Sequence, residues 1–274
     1  MKPLYFRLLA IILMTATLFI APCQARTICT IVADTDTGKI LLQNGNCAER
    51  VTAASTFKIA LSLMGFDSGF LKDQHAPSLP FHEGYADWGG DNWRQPTDPA
   101  AWMKYSVVWY SQQITNSLGE TRFKKYVNDF AYGNADISGD PGKNNGLERA
   151  WISSSLKISP MEQITFLKKI IKEELQVSPH ALAMTKQLTL LPQSPGGWVI
   201  HGKTGSGFPK NTDGNIDEVH AYGWFVGWAE KDKRTLVFAR LTQDEKEEQG
   251  PAGVRARDVF LGEWEGFLKI VFNE

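Results

Sequence analysis

Ser55 and Lys58 stand three residues apart, a spacing that places a hydroxyl and an amine on one face of a helix. A hydroxyl beside an amine able to take its proton is a nucleophile for acyl transfer. A lysine of ordinary pKa, ~10.4, is protonated and useless as a base. Phe57, Val107, Val108 and Trp151 are the apolar residues expected to wall Lys58 and favour its neutral form. A neutral amine acts directly as the base or reacts with CO2 to give a carbamate. Backbone N–H groups at a helix start, where Ser55 is expected, would meet a developing oxyanion.

A second cluster complements the first. Lys203-Thr204-Gly205, followed by Ser206, ends a strand-like run and offers a cation, hydroxyls and a close backbone approach to a carboxylate and a carbonyl. Arg255 or Arg257 near the start of the last helix is a further clamp, and a solvated helix face is the plainer account of both. Ser106 of Ser106-Val107-Val108 can pass a proton to a leaving nitrogen if it faces Ser55 and Lys203. Tyr132-Gly133-Asn134 reads as a helix-stop turn or the structural edge of a cleft. A Ser-x-x-Lys match alone is expected about once by chance in such a chain, and Ser154 with Lys157 is a second one. The three motifs in this order are far less expected by accident. His201 reads as strand packing. No HExxH motif or Cys/His zinc spacing occurs, so metal hydrolysis is not expected and no metal site is assigned.

The positioning elements follow from pattern. Ile28–Ala33 and Ile40–Gln43 predict a hairpin, Thr56–Phe66 a helix, and 73–98 irregular structure. Thr97-Asp98-Pro99 opens a helix that Gly119 stops, Thr121–Phe130 is another, and Ser159-Pro160-Met161-Glu162 is a capping box opening a helix to about 175. Trp198–Lys203, Gly223–Ala229 and Thr235–Leu241 are strands, with a tight turn at Lys231-Asp232-Lys233. An amphipathic helix over Gly253–Phe272 closes the chain. Sheet at both ends implies one α/β domain from 26–60 and 190–274, an antiparallel sheet flanked by helices, with an inserted all-helical domain over 61–189.

The 274 residues, 43% of them hydrophobic, suffice for a large core. Lys2 and Arg7 flank an apolar run to Ala21, read as a secretory signal peptide over 1–25 rather than an uncleaved anchor. Its removal takes the formal charge from −1 to about −3, which favours neither nucleic acid nor a lipid surface. Export to the periplasm without stable membrane insertion is expected, while oligomeric state stays open. Cys29 and Cys47 then remain, symmetric about a polar turn at Gly38, and read as a cross-strand disulfide or as two buried thiols.

Ser-Thr-Phe-Lys at 55–58, Ser-Val-Val at 106–108, Tyr-Gly-Asn at 132–134, Lys-Thr-Gly at 203–205 and Gly-Val-Arg at 253–255 together resemble the class D, or OXA-type, serine β-lactamases. The likeness covers nearly the whole mature chain and implies the fold of those enzymes and of penicillin-binding transpeptidases. It implies acylation of Ser55 by a β-lactam and N-carboxylation of Lys58, which needs CO2 or bicarbonate and no other cofactor. By the same resemblance Trp151, Phe57 and Val108 hold the carbamate, and the N–H groups of Ser55 and Ser206 form the oxyanion hole. Ser106 relays a proton, and Lys203, Thr204 and Arg255 take the substrate carboxylate. The alternatives are a β-lactam sensor domain or a weakly active penicillin-binding protein, either of which is acylated without turnover.

Overall fold

The computed structural model describes residues 25–272. The strands are β1 (Arg26–Asp34), β2 (Ile40–Gly45), β3 (Val51–Thr52), β4 (Lys157–Ile158), β5 (Val199–Gly207), β6 (Tyr222–Lys231) and β7 (Arg234–Gln243). The helices are α1 (Lys58–Asp67), α2 (Pro99–Tyr105), α3 (Val108–Asp129), α4 (Gly146–Arg149), α5 (Pro160–Ile171), α6 (Pro179–Thr189) and α7 (Ala252–Phe272). Five strands make one antiparallel sheet in the order β2-β1-β7-β6-β5, and β3 pairs with β4 apart from it.

Strand side chains alternate between two buried faces, the period-two pattern of a sheet covered on both sides. Val32, Phe225, Leu236 and Phe238 meet Phe260, Trp264 and Leu268, which recur at helical spacing along α7. Ile31, Trp224, Val226 and Val237 join the larger core beneath the helices. The class expected from sequence, an antiparallel sheet flanked by helices, is the one observed. Residues 61–189 supply more than a separate helical unit, however, because α5 lies on the sheet against β1, β6 and β7 while α1 packs on α3 and α6.

Local differences from the sequence reading have identifiable causes. The helix opened by Asp98, whose side chain caps the Ala101 N–H, does not run to Gly119. Ser106 adopts φ 61° and ends α2, and α3 starts two residues later, while the break at Gly119 (φ 70°, ψ 166°), which divides α3 into two helical stretches, is the stop expected there. α5 carries the expected capping box but ends at Ile171, short of 175, as Glu173 turns into the left-handed region at φ 55°. α6, opened by the Ser178 cap, was not anticipated. Cys29 and Cys47 form a disulfide. Cys29 stands opposite Gly45, so Cys47 reaches it from the turn beyond β2 rather than from the facing strand position. The expected leader lies, but for Ala25, outside the described residues, and no helix among the described residues is long and apolar enough to cross a membrane.

Candidate active site

A short 3-10 helix over Ala54–Phe57 carries Ser55 into α1, whose first residue is Lys58. The turn delivers the spacing predicted from sequence: Lys58 Nζ is 3.3 Å from Ser55 Oγ. Lys58 is fully buried. Burial first, and the neighbouring Lys203 charge second, drive its pKa well below the ordinary lysine value. A neutral amine there accepts the Ser55 proton, which a protonated one cannot.

Phe57, Val108 and Trp151 are buried in the same core as Ile59, Ala60 and Leu61 of α1, the helix that Lys58 opens. The Phe57 and Trp151 rings lie 5.6 Å apart, and Tyr132 sits edge-on to Phe57 at 5.0 Å. The Trp151 carbonyl accepts from the Thr52 hydroxyl and the Ala54 N–H, which fixes this residue beside the start of the 3-10 helix. Its indole N–H is buried and has no partner among the described residues. A buried donor without an acceptor costs roughly 1–3 kcal/mol, so it points to an acceptor that belongs there. A fully buried amine of lowered pKa and an orphaned indole donor are compatible with a carbamate on Lys58.

The opposite wall comes from β5, the edge strand of the sheet. A Cβ placed on Gly205 would stand 3.1 Å from the Thr56 nitrogen and 3.2 Å from the Ser55 nitrogen. Glycine therefore lets β5 close on the nucleophile's backbone. Lys203 Nζ donates to Ser106 Oγ at 2.8 Å and to the Thr204 carbonyl at 3.0 Å. Burial, then the charge of Arg257, push Lys203 down to about 7. The left-handed Ser106 is thus presented between two helices with its hydroxyl on Lys203. An L-residue held in that region is a strained position of the kind that clusters at functional sites. Asn134 is bound to the segment around β4, where it accepts from the Lys157 N–H and donates to the Ser155 carbonyl, and Gly133 at φ 55° lets the chain pass against Lys157.

Arg255 is not free to take a substrate carboxylate. It pairs with the buried Asp244 and donates to the Gln249 and Gly250 carbonyls. The helix dictates this. A Cβ on Gly253 would lie 2.4 Å from the Gly205 carbonyl, so Gly253 marks the face of α7 that meets β5. Arg255, two residues on, projects from the far side, whereas Arg257, one turn on, returns to the β5 face. The one-turn spacing from Gly253 to Arg257 is visible in the sequence, but which side of the helix meets β5 is not. Ser206 is engaged here too, its hydroxyl accepting from the Gly253 N–H at 2.9 Å. His201 stacks on Trp228 at 4.8 Å, as strand packing requires.

This constellation is that of an acyl-transfer site on a transpeptidase-type fold, and the family model for the penicillin binding protein transpeptidase domain matches residues 28–260. The chain is 46% identical to β-lactamase OXA-9 of Klebsiella pneumoniae over 86% of each protein. It is 40% identical to β-lactamase OXA-1 of Escherichia coli over 73% of this chain and 70% of that one. The crystal structure of OXA-427 class D β-lactamase superposes with a TM-score of 0.83 at 46% identity, covering 89% of this chain and 99% of that chain. The chain belongs to the class D serine β-lactamases.

Proposed function

We propose that this protein hydrolyses β-lactam antibiotics through an acyl-enzyme on Ser55 and so confers resistance. The observation that carries the reading is a hydroxyl 3.3 Å from a fully buried Lys58 whose pKa burial drives well down, across a cleft from Lys203 on Ser106 at 2.8 Å. Lys58 takes the Ser55 proton as Oγ bonds to the lactam carbonyl carbon. The N–H groups of Ser55 and Ser206 hold the oxyanion, and Ser106 gives its proton to the lactam nitrogen as the C–N bond breaks. Lys203 resupplies Ser106, while Lys203, Thr204 and Arg257 hold the substrate carboxylate. Water then cleaves the ester and frees Ser55.

Carboxylated by CO2 at Nζ, Lys58 supplies a carboxylate-like base for both acylation and deacylation, so no separate glutamate is required. Trp151 is its donor, and Phe57 and Val108 exclude water. No other cofactor enters this reading. The leader over 1–25 directs the chain to the periplasm, where a Cys29–Cys47 disulfide persists.

Turnover of a chromogenic cephalosporin and a penicillin by the chain from Arg26 onward, with and without bicarbonate, tests the proposal. Turnover stimulated by bicarbonate is the expected result. One stoichiometric acylation without turnover would replace it with a sensor domain or a penicillin-binding protein.

A further inference from the structure

Asp140 lies outside the reacting groups, yet it gathers more partners than any of them. Its side chain, 23% exposed, accepts from Ser154 Oγ at 2.8 Å, Lys210 Nζ at 3.0 Å and Asn145 Nδ2 at 3.2 Å, with Arg149 Nε at 3.5 Å. Burial works to raise its pKa, but the hydrogen bonds from Ser154, Lys210 and Asn145 prevail and hold it at about 2. The carboxylate thus binds three stretches of chain at once: the loop before α4, the turn after Trp151, and the loop after β5.

The turn after Trp151 is strained and clamped from both sides. Ser153 adopts φ 49°, its N–H donates to Thr52 Oγ1 at 3.0 Å, and its hydroxyl accepts from the Phe208 N–H at 2.9 Å. Thr52 Oγ1 in turn donates to the Trp151 carbonyl at 2.9 Å. Ser154 and Lys210 on Asp140 form the outer clamp, and the Thr52 contacts form the inner one. Without the outer clamp, only Ser153 would tie this turn to the loop after β5.

We propose that Asp140 is a positioning residue for Lys58 carboxylation: by joining Ser154 to Lys210 it holds Trp151 in place and keeps the Lys58 pocket closed against loss of CO2. The inference rests on the carbamate reading above. Lys58 carboxylation is reversible, so a pocket that opens more often holds less CO2 at a given bicarbonate concentration.

The test is Asp140→Asn, which keeps shape and removes charge. 13C-bicarbonate NMR reads carbamate occupancy on Lys58, and a bicarbonate titration reads turnover. Loss of charge-assisted hydrogen bonds predicts roughly a tenfold rise in the bicarbonate needed for half occupancy, with kcat at saturating bicarbonate held. Lys210→Gln, at the more exposed end of the clamp, shifts the same curve the same way and serves if Asp140→Asn does not fold. Unshifted bicarbonate curves with only a lowered Tm would overturn the inference and leave Asp140 a structural residue. A wild-type protein that turns over substrate without any 13C carbamate signal would overturn the carbamate reading itself, and the inference with it.

Discussion

Two buried lysines face one cleft, and their surroundings differ in kind. Lys58 is fully buried with Ser55 as its side-chain partner, whereas Lys203, 5% exposed, donates to Ser106 and to Thr204. Burial lowers both pKa values, Lys58 well below the ordinary lysine range and Lys203 to about 7, where part of its ammonium persists at neutral pH. One residue type thereby carries the base on one wall and a cation on the other. Environment sets the division of labour, because Lys58 has Ser55 as its side-chain partner while Lys203 reaches Ser106 and Thr204.

Removing the base breaks the comparison most completely. Lys58→Ala is expected to lower kcat by about 10³-fold or more, with bicarbonate giving no rescue. Trp151→Phe keeps the ring and deletes the orphaned N–H, so activity should fall about ten- to a hundredfold and recover in part at high bicarbonate. Recovery is what steady-state assays across a bicarbonate series would look for. On the other wall, Arg257→Ala should raise KM about tenfold at nearly constant kcat. Arg255→Ala should leave KM alone and cost about 3 kcal/mol in urea unfolding, since it strands the buried Asp244. The opposite pattern would restore Arg255 as the clamp.

The pH profile gives the smallest and sharpest contrast. Lys58 must be neutral to take up CO2, so its protonation removes activity as pH falls. Lys203 works charged, so in the free enzyme kcat/KM should decline as pH rises past about 7. A bound carboxylate holds the proton on Lys203 and moves that limb of kcat to higher pH. Lys203→Arg, charged throughout, should abolish the limb in kcat/KM.

Much of the site was legible because its chemistry is local. Ser55 and Lys58 fall on one turn, and Lys203-Thr204-Gly205 on one strand, so spacing alone placed them. The Asp140 clamp was not, since its partners Asn145, Ser154 and Lys210 lie 5, 14 and 70 residues away and no short pattern links them. Ser106 was read as lying inside a helix, because nothing in its type announces a left-handed conformation. Arg255 and Arg257 could be told apart only once Gly253 showed which side of α7 meets β5. The sheet was read from β-branched runs at both ends, while α6 went unread between stronger signals.

β1 lies between β2 and β7, and its first residue bonds to Gln243, 217 positions along the chain. The sheet therefore cannot close until almost the whole polypeptide is available. Such high contact order makes for slow folding, and a chain interrupted before β7 has β1 as an open edge inviting aggregation. Ser55 and Lys58 emerge early from the ribosome, but the strand that faces them is anchored only by the last segments made. Competence thus arrives in one late step, when the last strands and α7 join the sheet.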